Sequence, residues 1–105
     1  MIEVGEATAR ILVDVRAERE RQEAIGTAKR EAGIAWHSCA DPDMSGGDDK
    51  RAAVLGEEFG EVCRAVLESG YGTDGAGDQA LRDELVQVAA VAVAWAEAID
   101  ARTAA

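Results

Sequence analysis

Hydrophobic residues recur at helical intervals in three stretches of the chain, and two runs of turn-forming residues separate them. From about Glu3 to Ala32, Val4, Ile11, Val15 and Ile25 are spaced loosely along one side of a helix. Arg16/Glu20 and Arg19/Glu23 stand at i,i+4 and support its exposed face. Gly26 and Gly33 leave the last turns of this stretch open. From His37 to Asp49 the periodicity stops, turn formers dominate and the single proline, Pro42, appears. Asp48 or Asp49 is expected to cap a second helix from about Lys50 to Ser69, which Gly70 ends. A glycine-rich loop to Gly77 follows, and Asp78 is expected to cap a last helix reaching about Arg102. The pattern predicts an all-α fold of three main helices in a single domain spanning residues 1–105.

The last helix differs from the other two. Between Leu85 and Ala96 only Gln87 is polar, so this helix is apolar nearly all round and needs cover on several sides. Two further helices supply part of that cover, and dimerisation is expected to complete the bundle. The alternation Val91, Val93, Trp95 also fits a strand, but the interleaved alanines and the unbroken length favour helix.

Composition sharpens this picture. Aromatic residues make up 4% of the chain while 22 residues are Ala, which suits close helix packing around small side chains. The 21 Asp and Glu against 11 Lys and Arg give a formal charge of -10, which disfavours nucleic-acid polymers and anionic membranes as partners. The longest apolar run, Val88 to Ala96, is far shorter than the about 20 residues a bilayer requires. Two cysteines, Cys39 and Cys63, are too few for a disulfide scaffold, and the first residues resemble no secretory leader, so a cytoplasmic setting is expected.

Acidic residues at i,i+3 are common here, so their position on each helix face decides their meaning. At about 100° per residue, with Leu55 at zero, Phe59, Val62 and Val66 lie within about 40°, and Glu58 falls near 300°, inside the apolar arc. Glu61 sits at the edge of that arc and Glu57 outside it. On the last helix, with Leu81 at zero, Leu85, Val88, Ala92 and Ile99 are expected on the core side and Glu84 near 300°, pointing inward. A weak repeat relates Leu55-Gly-Glu-Glu58-Phe-Gly-Glu61-Val62 to Leu81-Arg-Asp-Glu84-Leu-Val-Gln87-Val88. Inward carboxylates on neighbouring helices repel one another and are costly to desolvate unless they share a proton, meet a base or bind a cation. Hard oxygen ligands at this spacing suit Mg²⁺ or Mn²⁺, and a bound divalent ion lets an acidic protein accept a polyphosphate.

Glu57-Glu58-Phe59-Gly60-Glu61 and Glu84-Leu85-Val86-Gln87 together resemble the E-E-x-x-E and E-x-x-D motifs of the all-α, MazG-like nucleoside triphosphate pyrophosphohydrolases. The resemblance covers about the last half of the chain. It implies a MazG-like helical bundle in which Glu58, Glu61 and Glu84 are catalytic and hold Mg²⁺, with Gln87 where the family has Asp. It implies hydrolysis of a nucleoside triphosphate to the monophosphate and pyrophosphate by a homo-oligomer. Gln87 brings no charge and no base, which implies weakened metal binding and leaves a non-catalytic nucleotide-binding or dimeric interaction protein as the alternative. Lys50, Arg51, Arg64 and Arg82 are the cations nearest to the acidic motifs in sequence. Lys50, Arg51 and Arg82 are the candidates for phosphate contact, and Trp36 is the candidate for stacking on a base.

Other readings compete for the same residues. A structural ion-pair network, with Arg64 or Arg51 as partner, would explain Glu58 and Glu84 without chemistry. Asp41-Pro42-Asp43-Met44-Ser45-Gly46 imitates the start of an EF-hand loop, but the twelfth position is Ala52 where a bidentate Glu is required. Gly70, Gly72 and Gly75 fit G-x-G-x-x-G, yet a helix precedes them where the dinucleotide fingerprint needs a strand. His37, Cys39 and Cys63 lack paired zinc-ligand spacing, and no orienting partner supports a Cys–His nucleophile. A mobile acidic loop is the favoured reading of residues 37–49, while the resemblance implies that such a segment closes over substrate.

Overall fold

A computed structural model describes residues 5–69 and 77–104, and among these the architecture is all-α. Three helices follow one another: α1 (Glu6–Glu31), α2 (Gly47–Glu68) and α3 (Asp78–Thr103). The Gly70–Gly75 motif lies outside the described residues.

The alanines of α3 make it the centre of the fold. Ala90, Val91, Ala94 and Ala98 are buried, and α1 and α2 both pack on α3 while meeting each other only marginally. Small side chains let neighbouring backbones approach closely, so α3 accepts a helix on each of two sides. Val15 of α1 and Val62 of α2 complete the buried hydrophobic set. This face of α3 is not the expected one. Leu85, Ala92 and Ile99, assigned to the core by the sequence pattern, are exposed, and the alanine face about 160° round the helix is buried in their place. A helix that is apolar all round gives periodicity nothing to choose between, and closeness of approach favoured the smaller residues.

Polar contacts fix the relative directions of the helices. Arg82 of α3 pairs with Asp14 at 2.8 Å, and Arg19 of α1 pairs with Glu97 at 2.6 Å, so α1 and α3 run broadly in the same direction. At the start of α2, Asp48 accepts a hydrogen bond from Trp95 Nε1 at 2.9 Å and pairs with Arg102 at 2.9 Å, both near the end of α3, so α2 and α3 are antiparallel. Within α1 the expected pairs Arg16–Glu20 and Arg19–Glu23 both form, at 3.2 and 3.0 Å.

The start of α2 departs from expectation. Neither Asp48 nor Asp49 caps it; the helix begins at Gly47, its N-cap is Gly46, and no side chain caps it. Asp48 therefore sits inside the first turn, where its carboxylate joins α2 to α3. The third helix likewise starts at Asp78 with Gly77 as N-cap, and it ends one residue beyond the expected Arg102. Helix α1 runs through Gly26 and ends in a Schellman motif. Gly33, at φ +82°, donates to the Arg30 carbonyl and Ile34 N–H reaches the Lys29 carbonyl at 2.9 Å. That reversal sends Ala35, Trp36 and His37 back along α1 toward the start of α2. Among the described residues no helix is long and apolar enough to cross a membrane.

Candidate metal centre and adjoining cavity

Helix geometry brings three carboxylates together. Glu58 and Glu61 are one turn apart on α2, Glu84 faces them from the antiparallel α3, and one oxygen of each lies within 4.8 Å of the others. No other group of three or more His, Cys, Asp or Glu side chains converges in this way among the described residues. Glu58 and Glu84 are half-buried and Glu61 is exposed. Their environment is unfavourable to charge. Glu58 Oε2 and Glu84 Oε2 are shielded from solvent with no hydrogen-bond partner. Burial raises the pKa of Glu58, and the nearby carboxylates of Glu61, Glu84, Glu18 and Glu57 add to the shift. Burial likewise raises that of Glu84, followed by a carboxyl–carboxyl hydrogen bond with Glu61, in which the two groups share a proton, and by the charges of Glu61 and Asp83; Arg64 opposes the shift.

The ion-pair alternative finds no close partner, and Arg64 acts on Glu84 only from longer range. Among the described residues no Arg or Lys pairs with Glu58, Glu61 or Glu84. Arg51 is directed elsewhere altogether. Its side chain is 1% exposed, and its guanidinium donates to the carbonyl of Cys39 at 2.8 Å, the carbonyl of Asp41 at 2.5 Å and Asp48 Oδ1 at 3.0 Å. Arg51 therefore holds the 37–46 segment against α2 and is not free for a phosphate. Arg82 is likewise committed, to Asp14 of α1, and lines a separate, shallower cavity.

A cavity of about 540 Å³ opens beside Glu58. It is built by α1, the 35–45 segment, α2 and α3. Trp36, Met44, Val54 and Val91 give it an apolar part, and Lys50, Gln22 and Gln87 a polar one. Of the three cations expected near phosphate, Lys50 alone lines this cavity, and it makes no ion pair among the described residues. Gln87 lines it alongside Glu58, one turn beyond Glu84 on α3. Glu61 and Glu84 border a second cavity of about 330 Å³ with Arg64. The carboxylate cluster thus stands between two openings.

No family profile, curated protein or solved structure matches this chain. The functional reading rests on the site itself.

Trp36 is placed by a glycine. A Cβ on Gly26 would lie 2.8 Å from Trp36 Cδ1, so the indole edge sits directly on the α1 backbone where no other residue would admit it. Lys29 Nζ lies 3.9 Å from the ring centroid, over one face, and Arg30 donates to the Trp36 carbonyl at 3.2 Å. The residues of the EF-hand-like stretch are occupied locally. Asp41 Oδ2 is 2.7 Å from His37 Nδ1, its Oδ1 accepts the Asp43 N–H at 2.8 Å, and α2 begins before that loop could finish. The His37 contact, followed by the Asp43 N–H, lowers the Asp41 pKa. Both thiols are free; Cys39 lines the large cavity, where burial raises its pKa, and Cys63 is exposed on α2. His37 and the cysteines form no metal cluster.

Sequence reasoning missed the contribution of α1. Glu18, Arg21 and Gln22 line the cavity, with Glu18 and Arg21 paired at 2.8 Å, which lowers the Glu18 pKa. In a helix crowded with Glu and Arg at i,i+3 and i,i+4, nothing distinguishes these three until α3 draws α1 toward α2.

Proposed function

We propose that the protein is a divalent-metal-dependent nucleoside triphosphate pyrophosphohydrolase, with Glu58, Glu61 and Glu84 holding Mg²⁺ or Mn²⁺. One observation carries this reading: three carboxylates converge from two helices, and two buried oxygens among them lack any partner. Such an arrangement is costly without a counter-charge, and hard oxygen donors on a half-open site fit a hard divalent cation. Gln87 is a neutral fourth donor within reach of the same face of α3. Bound there, the ion supplies neutralisation of phosphate oxygens.

The chain's own residues supply the rest. Trp36 and the apolar wall of the cavity receive the nucleoside, the indole as a stacking surface for its base. Lys50 contacts the phosphates as a point charge. A carboxylate of the cluster orients a water and takes its proton as the oxygen attacks the α-phosphorus; the bond to the bridging oxygen breaks and pyrophosphate departs. A cytoplasmic setting accords with this reading.

Gln87 favours a second reading, a helical protein that binds nucleotide and metal without turnover. A panel of ribo- and deoxynucleoside triphosphates with Mg²⁺ or Mn²⁺ separates the two. Monophosphate and pyrophosphate as products, lost in Glu58→Ala, are the expected result. Binding by calorimetry without turnover of any nucleotide leaves the second reading, and silence in both assays overturns the two together.

A further inference from the structure

The contribution of α1 to the large cavity is chemically specific. Glu18, Gln22 and Gly26 stand at i, i+4 and i+8, about 6 Å apart along one stripe of α1. Glu18 and Gln22 line the cavity, and Trp36, seated on Gly26, lines it one turn further on. A planar ring held beside Trp36 thus has Gln22 and Glu18 as its polar neighbours on that stripe.

Neighbouring side chains fix what these two residues offer. Arg19, its side chain only 10% exposed, is tied to Glu97 at 2.6 Å and to Glu23 at 3.0 Å, and its Nη1 donates to Gln22 Oε1 at 3.1 Å. A guanidinium only donates, so the Gln22 amide keeps its oxygen toward Arg19. The NH2 of that amide is left beside Glu18, whose pKa is lowered chiefly by Arg21 and further by Gln22. Glu18 accepts from Arg21 Nη2 at 2.5 Å and from Arg21 Nε at 2.8 Å, one bond to each carboxylate oxygen. A planar pair of N–H donors therefore already engages Glu18 end-on. The Arg21 side chain is 57% exposed, and a pair so open to solvent contributes little and is readily exchanged.

We propose that Glu18 and Gln22 make the cavity selective for guanine, whose edge replaces the Arg21 fork on Glu18. The inference rests on the nucleotide reading of the cavity. Guanine N1–H and one hydrogen of its 2-amino group are parallel donors for the two Glu18 oxygens, and O6 beside them accepts from the Gln22 NH2. Along α1 the wall offers acceptor, acceptor, donor, and the guanine edge offers donor, donor, acceptor. Adenine, cytosine, uracil and thymine each lack two adjacent donors, so they leave a polar group of the wall unpaired or facing its like. Hypoxanthine keeps N1–H and O6 but lacks the 2-amino group.

Steady-state kinetics of the full chain with Mg²⁺ and GTP, ITP, ATP, CTP or UTP test this, with calorimetric titration of the same nucleotides beside them. GTP is expected to exceed each of the others at least about tenfold in kcat/KM, or in affinity where nothing is turned over, because each competitor strands a polar group of the wall. Glu18→Gln puts a donor in place of one acceptor and is expected to remove that preference. Arg21→Met removes the resident fork, and the Kd for GTP is expected to fall relative to that for ATP. Equal turnover of all five nucleotides, lost in Glu58→Ala, overturns the guanine assignment and leaves the enzymatic reading standing. Guanine-selective binding without turnover does the reverse, and silence with every nucleotide overturns both. A GTP preference that survives Glu18→Gln, or an Arg21→Met variant that binds every nucleotide equally less tightly, also overturns the assignment.

Discussion

Gln87 is the residue at which the proposed chemistry is most exposed to test. It lines the cavity with Glu58, one turn beyond Glu84, and supplies an amide where a carboxylate would add charge to a divalent site. Gln87→Asp is therefore expected to tighten Mg²⁺ binding by on the order of tenfold, since it adds a charged oxygen donor to the site. Turnover should rise with it. Isothermal titration with Mg²⁺ checks this, and unchanged affinity would mean that Gln87 does not share the site. Arg51 belongs to a different account. Its buried guanidinium serves two carbonyls of the 37–46 segment and Asp48. Arg51→Met keeps the stem and orphans those two carbonyls, each at about 1–3 kcal/mol, so a loss of about 2–6 kcal/mol is expected in urea unfolding. Arg51→Lys should recover little of it, since one ammonium cannot span three acceptors in that fork.

At the scale of the elements, α1 acts on the cavity through Gly26 and Trp36. Gly26→Ala adds helix propensity of about 1 kcal/mol but puts a Cβ 2.8 Å from Trp36 Cδ1, so the indole must move. The two effects offset in stability and not in function. The expected outcome is a nearly unchanged Tm, altered Trp36 fluorescence, and a KM for nucleotide that rises with little change in kcat. These contacts also mark what was legible beforehand. The three helices were readable because Gly, Pro and Asp clusters interrupt otherwise helical spacing. The inward direction of Glu58 and Glu84 was readable because both lie beside apolar residues on their helical projections. Which face of α3 is buried was not readable: both Leu85 and Ala94 are apolar, so polarity does not mark one face, and packing distance favours the smaller side chain. The roles of Arg51 and Asp48 were hidden for another reason, since both act on groups far along the chain, the Cys39 and Asp41 carbonyls in one case and Trp95 and Arg102 in the other. Local pattern instead suggested a phosphate ligand and a helix cap.

Across the whole molecule the acidic groups divide into two sets that pull stability in opposite directions with pH. Asp48 has a lowered pKa, chiefly through Arg102 and then through Trp95 and Arg51, so its contribution is present above the ordinary Asp range and is lost as pH falls through the depressed folded value. Glu58 and Glu84 have raised values, so theirs is present below the ordinary Glu range and is lost as pH rises through the elevated folded value. Ionisation on the way up also builds the charge of -10, which opposes compactness. In EDTA the Tm is therefore expected to decline as the pH rises above the ordinary Glu range, where ionisation leaves Glu58 and Glu84 charged and unpaired. Mg²⁺ should remove much of that decline, because it binds the ionised cluster of the folded state. At 100 times its Kd it adds about 2.7 kcal/mol, on the order of 10 °C for a domain of this size. Glu58→Gln tests the cause. It should raise the Tm above wild type at pH 8 in EDTA, flatten the decline and abolish the response to Mg²⁺. Asp48→Asn should lower the Tm at pH 7, with a deficit that shrinks toward pH 3, and should leave the Mg²⁺ response in place. The scans of wild type and both variants, each in EDTA and in Mg²⁺, separate a charged cluster that awaits a cation from a bundle merely tolerant of acid. If Glu58→Gln reproduces the wild-type slope and the wild type ignores Mg²⁺, the orphaned oxygens of Glu58 and Glu84 are not a metal site.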